Sequence, residues 1–416
     1  MKMLSKRWLV FFATVLVHGA ATGGRPAASL DTVYYLSLIQ SDASATFNVG
    51  RLSWMKSFFL VILAGTRAIS PAHWMGIMVA LNIFCSGVVA VMLVELVKRA
   101  TRSAIATPVA FFFYLGCFEV VQWMRFILTD LLYCGLSLIP FYLVARRLLT
   151  DGEPRRTWLL AISTLLAAFT RQPGVVLVPL ILFAELVLIE RRVRPKVAAT
   201  IIIACAIAAI VVRTAAVNDP ARWPFAFIKP RLIDHSQREK QLGEVIMGRR
   251  ETFRPPARSA MDHVIIVADR YVRFFQVTTS GFSYVHNAIN VVYFVALYGL
   301  GLIGVADAFR RNDRKRRALV IVTLMWIGVF DYLYALTTLD FDWRYRTTLI
   351  PHFILLAACG LDALVYARNA ARSRSRATGE MNHASSPSPE ANRSSRSSSS
   401  CAFAGVAASA MPARVG

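Results

Sequence analysis

Apolar residues in this chain come in long runs, separated by short polar and often basic stretches. Most runs are about 17–24 residues, the length that crosses a hydrocarbon core. In lipid the backbone must satisfy its own hydrogen bonds, so such runs form helices. The pattern predicts about ten spans, near 8–23, 74–97, 104–121, 126–145, 157–170, 173–190, 197–213, 290–308, 318–338 and 349–367. Segment 54–70 is apolar but short, with Lys56 and Arg67 near its ends, so it reads as a helix lying in the interface. Spans five and six meet at Gln172-Pro173-Gly174, a sharp helical hairpin. The predicted fold is an all-α, polytopic transmembrane bundle with loops over one face.

Composition agrees with the pattern. Hydrophobic residues are 56% of 416 and charged residues only 17%, with a mean hydropathy of +0.51. A soluble chain of this length would not carry that load. The net charge of +23 would suggest nucleic acid in a soluble protein. Here the basic residues gather at span ends, where they report topology. Alternate loops hold Lys2, Lys6 and Arg7; Lys98, Arg99 and Arg102; Arg146, Arg147, Arg155 and Arg156; Arg191, Arg192, Arg194 and Lys196; Arg310, Arg311 and Arg314 to Arg317; and Arg368, Arg372, Arg374 and Arg376. The other set of short loops holds only Arg25, Arg51, Lys56, Arg67, Arg125, Arg171, Arg344 and Arg346. This threefold bias predicts an inner-membrane protein with both termini cytoplasmic.

The N-terminus also has the shape of a signal peptide, cleavable near His18-Gly19-Ala20. An uncleaved first span fits better, because Asp31 then falls just outside it and the alternation holds. The membrane region covers 1–367. It includes a first outer loop, 24–73, and one long outer loop, 214–289. Residues 368–416, rich in Ser, Ala, Arg and Pro, predict a disordered inner tail. Cys85, Cys117, Cys134, Cys205 and Cys359 lie in apolar runs without pairing or metal spacing, so they read as small core residues.

The candidate chemistry collects on the predicted outer face. Asp31 opens Asp31-Thr32-Val33-Tyr34-Tyr35, and Asp42 follows in the same loop. A carboxylate there can take the proton from an acceptor hydroxyl. Taken alone, Asp31 more commonly caps a helix starting at Thr32. Asp130, in Thr129-Asp130-Leu131, and Glu119 stand at outer span ends, where a carboxylate lines a cleft or pairs with a neighbour such as Arg125. Arg171, and Arg344 and Arg346 flanking Tyr345, offer donor forks that match phosphate oxygens. Snorkelling at the interface is the commoner role of one such arginine; three at one face beside a carboxylate favour phosphate binding. His352, after Pro351, stands at the mouth of the last span, where it could touch phosphate, although an interfacial histidine is the commoner case. Asp331 and Glu185 are costly intramembrane carboxylates. No metal-ligand spacing, Walker A loop, dinucleotide fingerprint or Ser-His-Asp pattern occurs.

Together these marks resemble the GT-C glycosyltransferases, closest to bacterial members akin to protein O-mannosyltransferases, lipid A aminoarabinose transferases and lipopolysaccharide galacturonosyltransferases. The resemblance rests on Asp31 in the first outer loop, Thr129-Asp130-Leu131, the hairpin Phe169-Thr170-Arg171-Gln172-Pro173-Gly174, and Arg344-Tyr345-Arg346 before a last span led by Pro351. It implies transfer of a sugar from a polyprenyl-phosphate donor to an envelope glycan, lipid or protein at the periplasmic face, with inversion. Asp31 and Asp130 would be the catalytic carboxylates. Arg171, Arg344, Tyr345, Arg346 and His352 would hold substrate and lipid phosphate, with Asp42 and Glu119 in support. It requires no nucleic acid and no fixed cofactor, and leaves room for a divalent metal. Two departures stand out: many relatives carry paired acidic residues in the first loop and a larger outer domain after more spans. Two rival readings remain, an ion-coupled transporter or lipid flippase using Glu185 and Asp331 as midplane relays, and a non-catalytic assembly partner.

Overall fold

The computed structural model describes residues 2–23, 25–40, 56–190, 260–278, 282–311, 313–337 and 344–384. Among these, the regular secondary structure is helical. The helices are α1 (Lys2–Ala21), α2 (Leu30–Gln40), α3 (Ser57–Ile69), α4 (Trp74–Ala100), α5 (Ala106–Leu115), α6 (Phe118–Met124), α7 (Asp130–Leu149), α8 (Thr157–Thr170), α9 (Leu177–Phe183), α10 (Ala260–Arg273), α11 (Tyr284–Arg310), α12 (Arg314–Thr337), α13 (Arg344–Thr347) and α14 (Ile350–Ala384). The chain divides into two compact units, Met1–Tyr366 and Ala367–Gly416. Every contact described below lies within the first.

Among the described residues five helices, α4, α7, α11, α12 and α14, are long and apolar enough to cross a membrane. The pair α5 and α6, bent by 44° at Gly116-Cys117, makes a sixth if counted as one span. The expected spans at 157–170 and 173–190 are shorter apolar helices. The second of these opens as a 3-10 turn, Gln172–Val176, and ends as a π turn, Ala184–Ile189. The expected first span is the helix α1, which is not among the long apolar set. The expected span at 197–213 lies outside the described residues, as do Asp42 and the greater part of the long loop. The tail expected to be disordered from 368 begins as a helix that continues to Ala384. Its Ala- and Arg-rich start has high helix propensity, which low apolar content does not cancel.

Side-chain pairs fix the helix directions. Tyr142 of α7 bonds Glu95 of α4, and a Cβ on Gly135 would meet Cys85 at 3.5 Å, so α4 and α7 run parallel. Arg316 reaches Asp362 at 2.6 Å, and Tyr334 stacks on Tyr345 at 4.6 Å, so α12 runs against α14. One end of the bundle therefore collects residues 31, 119, 130, 171, 334 and 344–346. The other collects 95–103, 146–156, 185–190, 307–316 and 362–366.

Helices α11 and α14 cross at backbone distance. A Cβ on Gly304 would come within 2.8 Å of Gly360 N, and one on Gly360 would collide with the Leu300 carbonyl. Small residues let helices approach this closely, which is how apolar bundles gain packing energy without a solvent-driven force. Large apolar side chains such as Leu9, Phe112, Trp158 and Leu302 stay exposed. This is far more apolar surface than a water-soluble monomer shows.

Candidate functional site

The short helix α13 organises the site. Its three leading residues each engage a different partner. Arg344 Nη1 lies 2.5 Å from Asp31 Oδ2. Tyr345 stacks on Tyr334 with rings 14° apart. Arg346 forms a two-pronged pair with Glu119, its Nε 3.0 Å from Oε2 and its Nη2 on Oε1. Beside them Arg171 pairs with Asp130 and lies over the Tyr345 ring at 4.8 Å. Three carboxylate–arginine pairs thus surround one stacked tyrosine pair. The structure brings together Asp31, Glu119, Asp130, Arg171, Arg344, Tyr345 and Arg346.

Local backbone explains how Asp31 arrives there. Helix α2 begins at Leu30. Ser29 Oγ accepts the Thr32 N–H at 3.2 Å, and the Ser29 N–H bonds Thr32 Oγ1 at 2.9 Å. This reciprocal pattern is a helix cap. Ser29 therefore fills the capping role, and Asp31 sits in the first turn with its carboxylate on Arg344. The capping explanation of Asp31 fails on this point. Thr32 Oγ1 also donates to the Ile127 carbonyl at 3.0 Å, and Ala27 pairs with the 125–127 backbone through two hydrogen bonds. Asn82 holds the same strip, donating to the Met124 and Phe126 carbonyls at 3.1 and 3.0 Å. These ties hold α2 against the entry to α7, where Asp130 is the first residue.

Exposure grades the three pairs. Glu119 and Arg346 are 0% exposed, Asp130 and Arg171 are 3% and 9%, and Asp31 and Arg344 are 33% and 14%. Arg346 also donates to the Gln276 carbonyl at 2.8 Å, the Phe274 carbonyl at 3.2 Å and the Tyr298 hydroxyl at 3.2 Å. Its donors are spent inside the protein, binding α6, α11 and the exit of α10 into one block. The Asp31–Arg344 pair is the most exposed of the three.

Lys56, which sequence reading used only for topology, joins this open pair. Its Nζ lies 4.9 Å from the Tyr35 ring centroid and 5.4 Å from that of Tyr34. Burial alone would raise the Asp31 carboxyl. The charges of Arg344 and Lys56, the Arg344 hydrogen bond and the charge of Arg171 outweigh it and hold the group below its ordinary value. No sequence signal linked Lys56 to Asp31, since 25 residues separate them.

Other candidates fall elsewhere. His352 is buried between Phe141, at 4.4 Å, and Trp326, away from the arginines. It follows Pro351 at the start of a span, but α14 turns it inward. Glu185 pairs with Arg147 at the opposite end of the bundle. Asp331 is buried, and neither of its oxygens has a hydrogen-bond partner among the described residues. Arg125 lies over the Phe126 ring at 5.2 Å and not on Asp130. Among the described residues no three His, Cys, Asp or Glu side chains are grouped to hold a metal ion. The three carboxylates of the site each face an arginine, an arrangement that does not suit a divalent cation.

The site is thus a partly open carboxylate–arginine pair, backed by a buried pair and an aromatic stack, at one end of an apolar helical bundle. No protein-family model, curated protein or solved structure matches the chain.

Proposed function

We propose that the protein is a membrane glycosyltransferase of GT-C type, moving a sugar from a polyprenyl-phosphate donor to an acceptor hydroxyl at the periplasmic face of a bacterial inner membrane. The observation that carries this reading is the Asp31–Arg344 pair, the most exposed of the three ion pairs. Its orientation in the membrane rests on the basic bias of the loops, which puts both termini in the cytoplasm.

In the resting protein Arg344 occupies the Asp31 carboxylate. An incoming phosphodiester competes for that guanidinium, whose fork suits phosphate oxygens. Losing Arg344 frees Asp31 and raises its basicity, because the charge that holds the carboxyl down has moved to the donor. The acceptor oxygen then attacks the anomeric carbon as its proton passes to Asp31. The bond between that carbon and the phosphate oxygen breaks, and the electron pair leaves with the polyprenyl phosphate. Arg344, with Lys56 close by, steadies the second negative charge on that phosphate. Attack from the face opposite the leaving group inverts the anomeric centre. Arg171 and Asp130 set the position of Tyr345, and Arg346 with Glu119 fixes α13.

The test is transfer from a panel of synthetic polyprenyl-phosphate monosaccharides by purified protein and by Asp31→Asn. The amide keeps the shape and loses the proton acceptor, so turnover should fall by roughly 10²–10⁴. Near-normal turnover would remove Asp31 from the chemistry. Absence of transfer from every donor by the wild-type protein would count against the enzyme reading itself.

A further inference from the structure

The opposite end of the bundle carries a second feature that the transfer reading does not use. A crevice of about 640 Å³ opens there, lined by Arg102, Arg311, Asp313, Arg314, Lys315 and Tyr366. It lies about 30 Å along α12 from Tyr334, at 1.5 Å per residue. Four cations face one carboxylate. Asp313 is committed to the fold: its Oδ1 accepts the Arg316 N–H at 3.1 Å, and its Oδ2 lies 3.7 Å from Arg102. Arg311 pairs with Asp307 at 2.6 Å and lies over the Tyr366 ring at 4.2 Å. Lys315 leans out to Asp151 at 2.6 Å. Arg314 is exposed and has no ion pair among the described residues. The floor is firm, because the Arg102 and Ser103 N–H groups both donate to Asp362 Oδ1, at 2.9 and 2.8 Å.

An apolar track leads to this crevice. Val295, Leu302 and Phe309 of α11 are 60%, 71% and 51% exposed. They recur every seven residues, so they form one stripe that ends two residues before Arg311. Only 28% of the apolar window of α11 is buried inside the protein, against 72% for α14. A cationic crevice at the foot of an uncovered apolar stripe fits a molecule with an anionic head and apolar tails.

We propose that this crevice binds the phosphate headgroup of an anionic phospholipid whose acyl chains lie along the Val295–Leu302–Phe309 stripe. Arg102 and Arg314 contact the phosphate, and Tyr366 with Arg311 forms the wall at the interface. The site is independent of the sugar-transfer reading.

The experiment is native mass spectrometry of the purified full-length protein with three probes: dioleoylphosphatidylglycerol, dioleoylphosphatidylcholine and soluble sn-glycerol 3-phosphate. Phosphatidylglycerol should bind about thirtyfold more tightly than phosphatidylcholine, given two basic contacts. Arg102→Gln with Arg314→Gln should erase that preference, and Phe309→Gln should weaken both lipids. Glycerol phosphate should not bind at concentrations that saturate the lipid site. Equal affinity for the two lipids, or an unchanged preference in the double variant, overturns the proposal. Glycerol phosphate binding as tightly as the lipid overturns the lipid assignment in favour of a soluble phosphate. Should the double variant fail to fold, the wild-type preference must shrink between about 0.1 and 0.5 M salt as charges are screened; a preference that persists also overturns it.

Discussion

Replacing Arg346 with leucine should destabilise the protein more than any change at the open pair. The guanidinium is fully buried and answers Glu119, two carbonyls and the Tyr298 hydroxyl. Leucine leaves the Glu119 carboxylate alone in a sealed site, and breaking a buried pair in this way costs about 3–5 kcal/mol. The carbonyls of Phe274 and Gln276 lose a charged donor as well, at roughly 1 kcal/mol each after relaxation. The expected loss is about 5–7 kcal/mol, equivalent to a fall in Tm of roughly 6–8 °C for a chain of this size. Differential scanning fluorimetry in detergent reads the shift. Arg344→Leu is the control, since its pair is partly solvated and exposed pairs contribute about 0–1 kcal/mol. The double change Glu119→Leu with Arg346→Leu should recover much of the loss, because removing both charges leaves no orphan. Equal Tm values for the two arginine variants would refute the distinction between a buried strut and an open pair. A double variant no better than Arg346→Leu would refute the ion pair as its cause.

Three further outcomes follow from the geometry. Arg344→Gln removes the main charge holding the Asp31 carboxyl down. The stability that Asp31 contributes through this pair is present above the ordinary carboxylate value and is lost as pH falls through the lowered one; in the variant that loss, and the acid limb of any transfer activity, should move to higher pH, and an unmoved profile would refute the coupling. Gly360→Val forces a side chain into the Leu300 carbonyl and should separate α11 from α14, seen as a fall in Tm of about 1–3 °C or more; an unchanged Tm would refute the close crossing. In intact inner-membrane vesicles of known orientation, a cysteine at exposed Val33 and one at exposed Arg314 should be labelled from opposite sides. Labelling of both from one side would refute the bundle's direction in the membrane.

Periodicity and run length alone determined that this is a helical protein built of apolar spans, because in lipid each helix satisfies its own backbone and needs no partner to declare itself. The same logic placed Asp31, Asp130, Arg171 and Arg344 at one end, since alternation of spans sorts loops into two sets. At 157–170 the apolar helix is shorter than a membrane crossing, and at 368–384 the chain continues as a helix, where propensity acts despite polarity. What lay beyond the sequence was pairing. Arg171 found Asp130 across 41 positions and Arg346 found Glu119 across 227, distances over which spacing carries no signal. Nor could sequence separate Arg344 from Arg346, two residues apart in one motif: packing against Gln276, Phe274 and Tyr298 sealed the second and left the first partly in the open. The capping of α2 by Ser29, and so the release of Asp31 for Arg344, was decided by the register at which the helix begins. Sequence supplied the ionic groups and their shared face; tertiary packing decided which of them water and a ligand can reach.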